Sequence, residues 1–104
     1  MELLERLQQM LAQGRDDALL RFGIGSEYFK RREYIQAIDH FSKAIEHDPE
    51  YSAAWKFLCK ALQGVGDKNA AIEACEKGIA IAKNGGDAQA VKEMQVLLKR
   101  AKSK

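Results

Sequence analysis

With 104 residues and 46% hydrophobic content, the chain has apolar material for one modest core and the usual size of a single domain. One proline, eight glycines, two cysteines and 31% charged residues argue against collagen-like, disordered and disulfide-scaffold classes. Lys and Arg exceed Asp and Glu by 17 to 15, a formal charge of +2, far from the balance of a chain built chiefly to hold nucleic-acid phosphates.

Acidic Glu2 and Glu5 interrupt the N-terminus where a signal peptide needs a basic start and an unbroken apolar stretch. No apolar run approaches the roughly 20 residues of a transmembrane helix, so the expectation is a cytoplasmic protein without a membrane span. In that compartment Cys59 and Cys75 are expected as buried thiols.

Apolar residues recur at helical spacing from end to end, without sustained period-two alternation. The pattern predicts six helices and no strands, over 2–13, 17–31, 34–47, 50–64, 68–83 and 87–102. Gly14 can close the first helix and Asp16 can cap the second. Asp48 before Pro49 places a cap ahead of a proline at the first helical position. Gly66-Asp67 and Asn84-Gly85-Gly86-Asp87 each pair a stop with a start.

Shifted by 34 residues, Ala37, Ile38, Phe41, Ala44 and Ile45 fall on Ala71, Ile72, Cys75, Gly78 and Ile79. The opposite shift brings Leu3, Leu4, Leu7, Met10 and Leu11 onto the same set, so helices one, three and five are equivalent. A helix-turn-helix period of 34 is the tetratricopeptide length. From Ala18 to Tyr51 the chain resembles the tetratricopeptide-repeat family, through Ile24-Gly25, Tyr28, Ala37, Phe41, Ala44 and Pro49 at the family's spacing. The second unit repeats the pattern with Trp55, Leu58, Leu62, Ala71 and Gly78, but has Cys59 for glycine, Cys75 for the aromatic and Lys83 for the closing proline. Arg21 replaces the first unit's tryptophan.

The resemblance implies a right-handed all-α solenoid of antiparallel helix pairs, organised as one domain over 1–104. A half repeat over 1–14 precedes repeats at 18–51 and 52–85, and a helix over 87–102 caps the end. A glycine inside a helix costs about 1 kcal/mol relative to alanine, so Gly25 implies close approach, with Ala37 the expected neighbour. Tyr28, Ile38, Phe41, Trp55, Leu58 and Ile72 are expected largely buried, with Glu33, Glu46, Glu73 and Lys77 facing water.

No catalytic, metal or cofactor constellation emerges. His40 and His47 lie seven residues apart, about 10 Å along a helix, too far to ligate one metal. Gly23-Ile24-Gly25 falls inside a helix, not in a phosphate loop. Lys30-Arg31-Arg32 and the terminal Lys99, Arg100, Lys102 and Lys104 serve as solvated helix ends, leaving RNA binding a weak alternative.

In this family the first helix of each unit lines a groove that holds a segment of a partner. Register transfer places Phe22, Ser26, Phe29 and Lys30 in that groove from one helix and Lys56, Lys60 and Gln63 from the next. Aromatics beside ammonium groups suit an acidic peptide with an apolar anchor. The family's five-residue clamp for chaperone tails is missing, since Phe22 replaces its first lysine and Ser26 and Phe57 its asparagines. The expected function is a non-catalytic adaptor; the alternative is a homo-oligomer in which a second copy covers an apolar stripe on the first or last helix.

Overall fold

The computed structural model describes residues 2–103, and Lys104 of the basic run lies outside them. The helices are α1 (Leu3–Ala12), α2 (Ala18–Lys30), α3 (Tyr34–His47), α4 (Ser52–Gly64), α5 (Lys68–Asn84) and α6 (Ala88–Lys102), with no strand among the described residues. Each falls within two residues of its expected span.

The same pair of bonds closes α1, α2, α4 and α5. In α2 the Arg32 amide donates to Phe29 and the Glu33 amide to Tyr28; in α4 Gly66 donates to Gln63 and Asp67 to Leu62. The left-handed residue that this closure needs is Gly14, Gly66 or Gly86 at three ends, and Arg32 with φ of 60° at the fourth. The starts of α5 and α6 are fixed by side chains: Asp67 accepts from the Ala70 amide and Asp87 from the Ala90 amide. Two expected caps are corrected. Asp17, not Asp16, accepts from the Leu20 amide at 2.8 Å, because Asp16 is engaged by Arg21 and His47. Pro49 stands in a turn before α4, where Asp48 accepts from the Glu50 amide and the Trp55 indole donates to the Pro49 carbonyl at 2.9 Å.

The helices stack in two rows. In the inner row α2 packs against α4 and α4 against α6, whereas α1, α3 and α5 each touch only the inner row. The core runs between the rows through Leu4, Leu20 and Ile24, then Ala37, Phe41 and Ala61, then Cys59, Ala71, Cys75 and Leu97. Gly25 does lie at a close approach, where a Cβ would come within 2.7 Å of the Phe41 ring. Of the residues expected to be largely buried, Phe41 is fully so; Tyr28, Ile38, Trp55, Leu58 and Ile72 are half-buried, because so short a stack leaves one side of each helix near an edge. Glu33, Glu46, Glu73 and Lys77 face water.

The expectation of two free thiols is also corrected: Cys59 and Cys75 are joined in a disulfide between α4 and α5. They occupy the places of Gly25 and Phe41 in the first repeat, the pair in direct contact across the two rows, and their Cα atoms are 5.7 Å apart, a separation that a disulfide spans.

Candidate functional site

The row in which successive helices touch is the inside of the stack, so α2, α4 and α6 present the concave face. Seven residues were expected to line it, and the structure divides them. Phe22 and Phe29 are half-buried in an aromatic cluster that joins α2 to α4. The Phe22 ring lies 5.0 Å from Tyr51 and 5.7 Å from Phe57; the Phe29 ring lies 5.5 Å from both Tyr34 and Phe57. These separations fit edge and tilted aromatic packing, so the two rings chiefly hold the groove's floor together. Ser26 is half-buried between them on α2. Lys30 is turned to its own helix, with its ammonium 3.0 Å from Glu27.

On α4, Lys56 pairs with Glu93 of α6 at 3.1 Å and its side chain is only 18% exposed. Gln63 donates to the Leu97 carbonyl at 2.9 Å and ties the same two helices. Both polar heads are therefore committed to seating α6. Lys60 is not: its ammonium stands 4.8 Å from the Phe57 ring centroid, within cation–π range, and makes no ion pair among the described residues. The Lys56 ammonium lies 5.2 Å from the same centroid, so two like charges face one ring and only one has a carboxylate.

Beside Lys60 a shallow hollow of about 230 Å³ opens between α4 and α6, lined by Lys60, Glu93, Val96, Leu97 and Arg100. Arg100 also borders a second hollow of about 280 Å³ with Gln63, Gly66, Lys68 and Ser103. A third hollow, of about 400 Å³, lies off the groove where α5 turns into α6, and none of the seven residues lines it. Glu93, Val96, Leu97 and Arg100 of α6 line the groove although the sequence pattern did not place them there, and Phe57 was placed only as the residue standing for a clamp asparagine.

Away from the groove, the two histidines join a polar network. Arg21 donates to both Asp16 oxygens at 2.7 and 2.9 Å and to His40 Nδ1 at 3.2 Å. His47 Nε2 donates to Asp16 at 2.9 Å, and the His40 ring stacks on Tyr28. Hydrogen bonds from Arg21 and His47 hold the Asp16 carboxyl well below the usual carboxylate range. Burial, then the nearby Arg21 charge, lowers the His40 pKa. Arg21 thus puts a charged fork where the family pattern has tryptophan.

The tetratricopeptide-repeat profile matches residues 18–51. A TPR repeat-containing protein of Pseudomonas aeruginosa is 47% identical over 98 residues, covering 94% of this chain and 93% of the relative. The chain belongs to the tetratricopeptide-repeat family. A protein from Bordetella parapertussis solved in solution is 48% identical with a TM-score of 0.86, over 97% of this chain and 88% of that one. The second TPR domain of human RPAP3, solved in complex with the HSP70 peptide SGPTIEEVD, is 28% identical with a TM-score of 0.80, over 97% of this chain and 79% of that one. TPR domains are non-enzymatic scaffolds for protein–protein interaction, and these likenesses give the two-row stack that built the concave face.

Proposed function

We propose that this chain is a non-catalytic adaptor that holds an acidic peptide segment with an apolar anchor at the α4–α6 end of its groove. The observation that carries the reading is the pairing of two cations, Lys60 and Arg100, with an apolar floor of Val96 and Leu97. Neither cation makes an ion pair among the described residues, because the one carboxylate lining the hollow, Glu93, is held by Lys56. An acidic side chain or chain terminus supplies the missing carboxylate, and an adjacent aliphatic side chain fills the hollow. The RPAP3 domain supports the chemistry, since its peptide combines two glutamates and an aspartate with isoleucine and valine. Charge steers the ligand and the apolar contact slows its release.

Selection from a displayed library of random peptides tests the reading. The expected binders are rich in Asp and Glu beside Leu, Ile or Val, and a folded Lys60→Glu/Arg100→Glu variant loses them at least tenfold. Binders without acidic residues, or retention by that variant, contradict it.

A further inference from the structure

We infer that the Cys59–Cys75 disulfide is a redox latch on the α6 end of the stack, whose reduction loosens the seating of α6 and leaves α2 and α3 packed. The 34-residue register shows what the pair replaces. The joint of α2, α3 and α4 is built on four rings, with the centroids of Phe22, Phe57 and Phe29 at 5.7, 5.9 and 6.5 Å from that of Phe41. One period later the same four places hold Lys56, Val91, Gln63 and Cys75, and none of them is aromatic. The joint of α4, α5 and α6 is held instead by the Lys56–Glu93 ion pair and the Gln63–Leu97 hydrogen bond at the groove, and by the disulfide in the core. The ring cluster secures the first joint without either cysteine.

The position of the disulfide couples it to α6. Both cysteines are 0% exposed and share one apolar cluster with Ala71 and Ala74 of α5 and with Leu97 and Ala101 of α6. Among the described residues α6 is seated on α4 and α5 alone, and these are the two helices that the disulfide ties together. One turn beyond Cys75 all three helices meet at Gly78, where a Cβ would come within 2.5 Å of the Met94 sulfur of α6 and 2.8 Å of Trp55 Cβ of α4. So close a seam passes a shift between α4 and α5 on to α6. Leu97 belongs both to the cysteines' cluster and to the hollow beside Lys60. Loosening α6 therefore also removes the apolar floor from the peptide site, a consequence that rests on the groove reading, whereas the latch itself does not.

The reduced pair also has a place. Cys59 Sγ lies 3.4 Å from the Ala71 carbonyl oxygen, which can accept its thiol hydrogen once the bond is broken. The step is exchange with a dithiol. One thiolate of the dithiol attacks one sulfur and the other cysteine leaves as a thiolate; the second thiolate of the dithiol then displaces the first cysteine. Two electrons pass to the pair, each cysteine takes up a proton, and the dithiol closes to a cyclic disulfide. Because neither cysteine is exposed, the dithiol reaches them only when the seat of α6 opens, so opening and reduction favour each other.

Amide hydrogen exchange on the oxidised protein, and on protein reduced with dithiothreitol, tests the latch, with alkylation and mass spectrometry reporting the state of the cysteines. The expected result is exchange in α6 roughly tenfold faster or more after reduction, with α2 and α3 unchanged and protection restored on reoxidation. A Cys59→Ala/Cys75→Ala variant should show the fast α6 exchange with or without dithiothreitol. Free thiols at Cys59 and Cys75 in air-oxidised protein, unchanged α6 exchange on reduction, equal loss of protection in every helix, or a response of the double variant to dithiothreitol would overturn the inference. The strongest acidic peptide from the library selection should bind the oxidised protein roughly fivefold tighter or more than the reduced one. Equal affinity in the two states would overturn the consequence for binding. Failure of acidic peptides to bind in either state would remove the groove reading, and the exchange result would still decide the latch.

Discussion

Gly25 and Gly23 sit two residues apart on one helix and answer to different neighbours. A Cβ on Gly25 would fall within 2.7 Å of two Phe41 ring atoms, whereas one on Gly23 would meet only Leu7 Cδ1 at an ordinary 3.6 Å. Alanine gains about 1 kcal/mol over glycine in a helix, and forcing a methyl into a packed core typically costs about 1 to 3 kcal/mol. Gly23→Ala should therefore be neutral or stabilise by up to about 1 kcal/mol, while Gly25→Ala should lose about 1 to 2 kcal/mol. Urea unfolding of both variants measures the contrast, and equal effects would show that the Phe41 contact does not limit this position. The sequence carried the close approach at Gly25 but not the Phe41 ring that makes it tight. A helix-interior glycine signals a neighbour, but Phe41 reaches it through a ring whose orientation depends on Phe22, Phe29 and Phe57 together.

The six helices were legible because a 34-residue period, glycine stops and aspartate starts agree with one another. The misplacements occur where tertiary contacts override local chemistry. Pro49 does not open α4 because its carbonyl is taken by the Trp55 indole, and Asp16 does not cap α2 because Arg21 and His47 take its carboxylate. The same network makes the joint between the α1–α2 turn, α2 and α3 sensitive to acid. The folded state holds His40 below its ordinary pKa of 6.5, so the unfolded chain takes up that proton first. This contribution to stability is complete above pH 6.5 and is lost as pH falls through the folded value. Asp16, held below 3.8, contributes stability that is present above that pH and lost as pH falls further. Unfolding free energy should thus decline in two stages on acidification. His40→Asn should flatten the upper stage and Asp16→Asn the lower one in urea midpoints followed against pH. Unaltered slopes in both variants would remove the network from the account.

At the scale of the whole molecule, a short solenoid uses its two ends and its inner face differently. The α6 end is closed by lysines and by the Lys56–Glu93 and Gln63–Leu97 ties, the α1 end is apolar, and the inner face leaves Lys60 and Arg100 beside an apolar hollow. The groove's location was legible from the repeat register, since the helices expected to line it do so. Which of its side chains stand free was only partly legible. Phe22 and Phe29 look like free anchors until Phe57 is seen between them, and Lys56 looks like a free cation until α6 brings up Glu93 from 37 residues away. Pairings of that kind depend on how a capping helix docks, which neither repeat contains. The most direct test of the groove is a backbone-amide NMR titration with the strongest acidic peptide from the library selection. The predicted result is a cluster of shift changes at Phe57, Lys60, Val96, Leu97 and Arg100. Shift changes centred on α1 or the outer faces of α3 and α5, with those five residues unmoved, would contradict it.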